Sequence, residues 1–371
     1  MRAGRARLGL ALAAVLACVV PAGAGGQDGD EPARELPIGV VPQRAYGDSD
    51  TKAMTAAGIG SVRTWFSWAQ IESEPGRLDW SQVDATVATN AKAGLTTLPF
   101  VFGTPRWAAE LDGWSCPTTE TCVSYAPRTE ESRAAFAAFM RLLVRRYGPN
   151  GSFWRQPREL RAVPIETWQI WNEPNLSSFY APQVDPAGYA ALMQAVTPAI
   201  RAEDPKAQVL LGGLTGTKTN AKRMSSARFL TEFYAVPGAA GAFDGIAVHP
   251  YNRQVRGALD QVRTTRSIAD AHGDIDAELW VTELGWSSAG KRRWGLTKTR
   301  TEQARLLGLA LERLEQEAER LNLRAVYWYA WRDTERGAAV CGWCPWSGLI
   351  DRVGREKPSY VTLQEFANAD D

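Results

Sequence analysis

From Leu36 onward, short unbroken apolar runs alternate with longer stretches whose apolar residues return every three or four positions. The short runs are Leu36–Val41, Ser61–Phe66, Thr96–Phe102, Ile165–Trp171, Val209–Gly213, Gly245–His249, Leu279–Glu283 and Ala325–Trp331. Each predicts a strand buried on both faces. The stretches between them predict amphipathic helices. Phe136, Phe139, Met140, Leu143 and Tyr147 share one helical face, and Leu307, Leu311, Leu314, Ala318 and Leu321 share another. Thr299 and Glu302 have capping-box spacing, and a final helix is expected over Ser359–Ala367, behind Pro358. Eight strand-and-helix units favour a closed parallel barrel over an open sheet. No Pro/Ser-rich linker interrupts them. The expectation is therefore an α/β fold, a (β/α)8 or TIM barrel, as a single domain over residues 36–371.

The beginning of the chain breaks this rhythm. Arg2, Arg5 and Arg7 precede an apolar run from Leu8 to Val20, and Pro21 with Ala22-Gly23-Ala24 follows. This predicts a secretory signal peptide over residues 1–24. The run is shorter than the roughly 20 residues of a membrane span. Val15-Leu16-Ala17-Cys18 resembles a lipobox, so a lipoprotein anchored through Cys18 is the alternative. The apolar run continues past Cys18, which favours free export. Residues 25–35 are polar and read as a disordered leader. Beyond the signal stand four cysteines, an even number in an exported chain. The local pairs Cys116/Cys122 and Cys341/Cys344 are the natural disulfides among three possible pairings.

Composition narrows the chemistry by exclusion. The 42 basic and 41 acidic side chains nearly cancel, so nothing favours nucleic acid or an acidic membrane as partner. There are two histidines, His249 and His272, and no His-Glu-x-x-His, Cys/His cluster or phosphate-binding glycine loop. No metal and no cofactor is expected. Fifteen tryptophans are a heavy load. Some pack the core, and others suit a surface on which the C–H faces of sugar rings stack.

Chemistry enters at two strand ends. Trp168-Gln169-Ile170-Trp171-Asn172-Glu173-Pro174-Asn175 closes the fourth run, and Trp280-Val281-Thr282-Glu283-Leu284-Gly285-Trp286 closes the seventh. In parallel barrels, reactive groups stand at the carboxyl ends of strands and in the loops that follow. Two glutamates facing each other there can protonate and attack a glycosidic bond. Glu173 is the candidate proton donor and Glu283 the candidate nucleophile. Arg63 and Tyr251 can hold Glu283 ionised, and Asn172 can bind a sugar hydroxyl. Glu166, Glu278 and Asp244 start or precede strands, which places them at the opposite, stabilising rim. Trp65, Trp68, Trp107, Trp114, Trp286 and Trp331 lie at strand ends or in following loops and are candidate stacking platforms. The stretch from Thr104 to Arg128 and the Cys341–Cys344 segment, flanked by Trp343 and Trp346, are candidate cleft walls.

These residues resemble the clan A glycoside hydrolases, retaining (β/α)8 enzymes. Asn172-Glu173-Pro174 and Thr282-Glu283 match the acid/base of strand four and the nucleophile of strand seven. Arg63 matches the arginine of strand two and His249-Pro250-Tyr251 the His-x-Tyr of strand six. The tryptophan of strand eight matches Trp328 or Trp331. Trp-Asn-Glu-Pro-Asn and Glu74-Pro75-Gly76 are most similar to family 39 and its bacterial relatives. Those include exopolysaccharide-processing hydrolases, β-xylosidases and α-L-iduronidases; family 5 cellulase-like enzymes come next. The resemblance implies secreted hydrolysis of a polysaccharide or oligosaccharide by double displacement. An inverting hydrolase and a non-catalytic carbohydrate-binding barrel are the alternatives. Sugar, linkage, endo or exo action and oligomeric state are open.

Overall fold

The computed structural model describes residues 36–116, 122–156, 160–291, 295–335 and 341–369. The signal, Cys18 and leader readings lie outside the described residues. Eight parallel strands close into a barrel: β1 (Ile38–Val41), β2 (Ser61–Ser67), β3 (Thr96–Phe102), β4 (Thr167–Ile170), β5 (Gln208–Thr215), β6 (Gly245–His249), β7 (Glu278–Leu284) and β8 (Leu323–Tyr329). Neighbours in sequence are neighbours in the barrel, and β8 pairs with β1 to close it.

A helix follows every strand: α1 (Asp48–Ala56), α2 (Ser81–Lys92), α3 (Glu130–Tyr147), α4 (Pro186–Arg201), α5 (Ser226–Tyr234), α6 (Val255–Ala271), α7 (Arg300–Glu315) and α8 (Pro358–Ala367). Their starts follow local chemistry. The Thr129, Asp185, Ser225 and Thr299 side chains accept backbone N–H groups of the first turns of α3, α4, α5 and α7. The periodic face read from Leu307 to Leu321 is split. Helix α7 ends at Glu315, and Ala318 and Leu321 belong to a separate short helix, Ala318–Leu321. One apolar face is thus shared by two helices.

Alternate strand residues fill two layers. Val326 and Trp328 join the large cluster between barrel and helices, whereas Ala325, Tyr327 and Tyr329 join the barrel interior with Val41, Leu98, Leu210 and Trp280. Gly39 makes room for this filling, because a Cβ there would lie 2.2 Å from the Tyr327 ring.

Two of the barrel's register irregularities bear on the site. Between Leu211 and Leu214, strand β5 spends three steps against two on β6. Between Val281 and Leu284, strand β7 does the same against β8. Each extra residue is a bulge that re-aims the side chains beside it.

Candidate active site

The site is built around Arg63, which β2 points into the barrel. Its guanidinium is fully buried, 4.0 Å above the centre of the Phe100 ring. It donates to three acceptors: Nε to Gln169 Oε1 at 2.9 Å, Nη1 to Glu283 Oε1 at 2.7 Å, and Nη2 to Asn172 Oδ1 at 2.9 Å. One cation thus ties together β2, β4 and β7.

Glu283 is the penultimate residue of β7. The β7 bulge turns two successive residues inward. Thr282 hydroxyl oxygen meets His249 Nε2 at 3.0 Å, and Glu283 meets Arg63. Tyr251, just beyond β6, donates its hydroxyl to the other Glu283 oxygen at 2.7 Å.

Glu173 stands three residues past the end of β4. Trp171 and Glu173 have φ values of 71° and 43°, a left-handed region that costs an ordinary residue about 1–3 kcal/mol. The surroundings enforce it. The Trp171 amide donates to Val101, the Leu176 amide to Glu173, and the Trp171 indole to Phe179. Asn175 secures the next turn, donating to the Thr215 and Met224 carbonyls and accepting the Thr215 amide. The result aims Glu173 inward, where its Oε1 lies 2.9 Å from His249 Nδ1. His249 is fully buried and its ring lies against Gly213 in the β5 bulge. A Cβ on Gly213 would lie 2.0 Å from His249 Nε2.

Two carboxyl groups therefore meet. Oxygens of Glu173 and Glu283 and a nitrogen of His249 lie within 4.8 Å of one another. Their environments push them apart. For Glu173, burial is the largest influence and raises its pKa above the ordinary carboxylate value; the Glu283 charge adds to this, against the pull of His249 and Arg63. For Glu283, burial also raises, but His249, Arg63 and the Tyr251 and Arg63 hydrogen bonds outweigh it, and the net shift is downward. The surroundings thus favour the proton on Glu173 and the charge on Glu283.

Of the residues singled out in the sequence, the fold gathers Arg63, Asn172, Glu173, His249, Tyr251 and Glu283 at one mouth. Trp65 shares their rim. It is 37% exposed and stacks on Phe102 with centroids 5.0 Å apart. Three tryptophans depart from expectation. Trp328 faces the helix layer, donating to the Ser347 carbonyl, because strand parity turns it outward. Trp331 is buried beyond the strand, donating to Asp50 and packing on Tyr360. Trp286 is buried against Trp328 and donates to the Asn252 carbonyl. None of the three offers a free face to the cleft. Trp68 is likewise core, donating to Glu72, whereas Trp114 is 40% exposed and stacked on Tyr125.

Four neighbours of the carboxyl pair escaped the sequence reading: Gln169, Thr282, Phe100 and Tyr329. Tyr329 takes the inward position of β8, its ring 6.3 Å from Tyr251, and Glu283 and Glu173 add to burial in raising its hydroxyl pKa. Strand parity was the available signal. Tyr329 is two residues from Tyr327 and on the same face. Both disulfides are present, Cys116–Cys122 and Cys341–Cys344.

Comparison with known proteins agrees with this geometry. A 57-residue stretch is 46% identical to a beta-galactosidase of Thermus thermophilus, and a 63-residue stretch is 43% identical to the beta-galactosidase BgaA of a Thermus species. These stretches span 15% and 17% of this chain and only 8% and 9% of the galactosidases. Among solved structures, a family 39 glycoside hydrolase from Bacteroides cellulosilyticus WH2 superposes with a TM-score of 0.65 at 21% identity. The match covers 90% of this chain and 64% of that one. A monomeric beta-xylosidase from Caulobacter crescentus CB15 gives 0.61 at 19%, covering 90% and 68%. These likenesses speak for the fold. Residues 148–354, more than half of the chain and including both glutamates, match the family described as the glycosyl hydrolase catalytic core. The chain belongs to that family.

Proposed function

We propose that this protein is an exported retaining glycoside hydrolase, with Glu283 as nucleophile and Glu173 as acid and base. The observation that carries the reading is the carboxyl pair itself. Its oxygens approach within 4.8 Å, and the surroundings raise one pKa and lower the other. Retaining enzymes hold their carboxyl groups about 5–5.5 Å apart, and inverting enzymes about 6.5–9.5 Å, to admit a water.

In the first step Glu283 attacks the anomeric carbon. The glycosidic C–O bond breaks, and Glu173 gives its proton to the leaving oxygen. A glycosyl ester on Glu283 results. The charge of Glu173 then makes it a base. It takes a proton from water, the hydroxide oxygen bonds the anomeric carbon, and Glu283 leaves as a carboxylate. Two inversions give net retention. Arg63 and Tyr251 serve as fixed donors that receive Glu283 again after each turnover. With its oxygen bound to Arg63, Asn172 keeps its amide nitrogen for a hydroxyl of the reacting sugar. Trp65 gives a stacking face at the rim. Carboxyl chemistry of this kind calls for no metal or cofactor.

The carbohydrate is an oligosaccharide or polysaccharide. Similarity to the two galactosidases and to xylosidase-bearing folds makes aryl β-galactosides and β-xylosides the first probes. Export is supported by the two disulfides, which persist in oxidising compartments. Among the described residues no helix is long and apolar enough to cross a membrane. Proton NMR of the first product tests the mechanism, since retained anomeric configuration is expected. A 2-deoxy-2-fluoro glycoside should label a peptide containing Glu283. Inverted product, or a label elsewhere, would overturn the assignment, and sugar binding without any hydrolysis would favour a non-catalytic barrel.

A further inference from the structure

Beyond β8 the chain returns to the mouth as a small stapled loop. Cys341 and Cys344 are bridged with their Cα atoms 5.2 Å apart, and Trp343 lies between them. The indole is half-buried and packs edge-on against two rings of the site. Its centroid is 4.9 Å from that of Tyr251 and 5.8 Å from that of Tyr329. Tyr251 in turn holds Glu283. Trp343 therefore stands one side chain away from the proposed nucleophile.

The two halves of the loop are secured differently. On the carboxyl side, Gln43 Nε2 donates to the Cys344 carbonyl at 2.9 Å, and the buried Lys357 amine donates to the Trp346 carbonyl at 3.1 Å. Lys357 is itself paired with Asp333 at 2.8 Å. At Cys341 the staple adds a covalent restraint. Cys341 is partly exposed, and its Sγ accepts the Cys344 amide. The disulfide thus joins the two ring contacts in holding Trp343 in place.

Two further observations give that placement a purpose. Most indoles here spend their N–H inside the protein: those of Trp65, Trp107, Trp286, Trp328 and Trp331 all donate to protein acceptors. Among the described residues, the N–H of the half-exposed Trp343 indole has no such acceptor. The strand order also puts β2 diametrically across the barrel from β6. Trp65 on β2 and Trp343, which lies against Tyr251 after β6 and Tyr329 on β8, thus belong to different sides of the barrel mouth.

We propose that Trp343, positioned by the Cys341–Cys344 bridge, is a recognition residue for the sugar transferred to Glu283. Its indole supplies an apolar wall for a pyranose ring face and an N–H for a ring hydroxyl. This inference rests on the function proposed above. It adds to the inward Tyr329 of β8 a second aromatic from outside the strand, where Trp328 and Trp331 do not reach.

The test uses the full chain with 4-nitrophenyl β-D-galactoside and β-D-xyloside for kinetics. Saturation-transfer NMR with free galactose, xylose and glucose reads binding independently. Trp343→Ala should raise KM about tenfold, the scale of a lost aromatic contact, with a smaller change in kcat, and should weaken saturation transfer to the sugar C–H protons. Trp343→Phe should restore most of the stacking but not the hydrogen bond. The double replacement Cys341→Ser, Cys344→Ser should move KM in the same direction as Trp343→Ala while leaving the global unfolding midpoint within a few degrees. Glu283→Gln is the parent control. If it retains full turnover, the proposed function fails. If it loses turnover yet Trp343→Ala leaves KM and saturation transfer unchanged, only the present inference fails. Binding of none of the three sugars would also overturn it, as would an effect of Trp343→Ala on kcat alone.

Discussion

At the amino-terminal rim of the barrel, Asp244 accepts from Arg201 at 2.7 Å and from the Val209 amide at 2.8 Å, and Glu278 accepts the Trp280 indole N–H at 3.2 Å. At the carboxyl rim, Glu173 and Glu283 share His249 and lie within 4.8 Å of each other, almost out of water. The residue types are the same and the circumstances are opposite. Below, each acid sits partly in solvent with donors that match it, so its charge stabilises the fold modestly. Above, burial and mutual repulsion leave the pair unable to ionise together at low cost. Stability is given up there for two groups with different affinities for one proton.

That contrast can be broken from either side. The largest effect is expected from Glu283→Ala, which should reduce turnover on the order of 10⁴-fold or more while sugar binding persists. Steady-state rates beside NMR binding check this, and unchanged turnover removes Glu283 from the mechanism. Arg63→Ala comes next. It strands a carboxylate and two amide oxygens in the interior, so a loss of about 3–5 kcal/mol is expected in chemical denaturation, because one partner of a buried pair is gone. Arg63→Lys should recover charge but not the three-way fork.

The pH profile sharpens the same comparison. In the proposed mechanism Glu283 must be ionised, and its pKa is lowered; Glu173 must be protonated, and its pKa is raised. Activity should therefore form a bell, falling at acid pH as Glu283 protonates and at alkaline pH as Glu173 ionises. Stability follows the same signs. The contribution of Glu283 is present above its unfolded-state pKa and lost as pH falls through the folded value. That of Glu173 is present below its unfolded-state pKa and lost as pH rises through the folded value. Removing His249 withdraws a downward influence from both, so His249→Asn should move both limbs of kcat/KM to higher pH. Limbs that stay in place would show that His249 only fills space. The smallest effect belongs to the lower rim. Asp244→Ala should cost about 1 kcal/mol in a thermal melt and leave KM and kcat as they were.

Much of this was open to reading from the chain. The strand runs, the spacing between them and the two glutamate strings fix which residues can gather at the mouth. Thr96–Phe102 and Gly245–His249 were read to the residue. Elsewhere the reading failed for physical reasons. An apolar tryptophan in a barrel strand can face the interior or the helices, and only register decides. Parity turned Trp328 outward and gave Tyr329 the inward place. The β7 bulge is invisible to alternation, which would allow only one of Thr282 and Glu283 to face inward. The left-handed turns at Trp171 and Glu173 oppose local preference, since side chains with a Cβ rarely adopt positive φ, and Glu173 also precedes Pro174, a place that ordinarily favours extended backbone. The turn at Trp171 is held by hydrogen bonds to Val101 and Phe179, partners outside the turn that no local pattern records.

Gly213 carries a consequence of its own. The imidazole that tunes both acids rests on a bare α-carbon, so a single added methyl group would have to displace it. In the proposed mechanism, the proton balance of the pair then depends on a missing side chain. A Gly213→Ala protein could fold, bind sugar and still have lost the proton balance on which turnover depends. Efforts to reshape this barrel for other glycosides should leave that hydrogen alone and work at the walls.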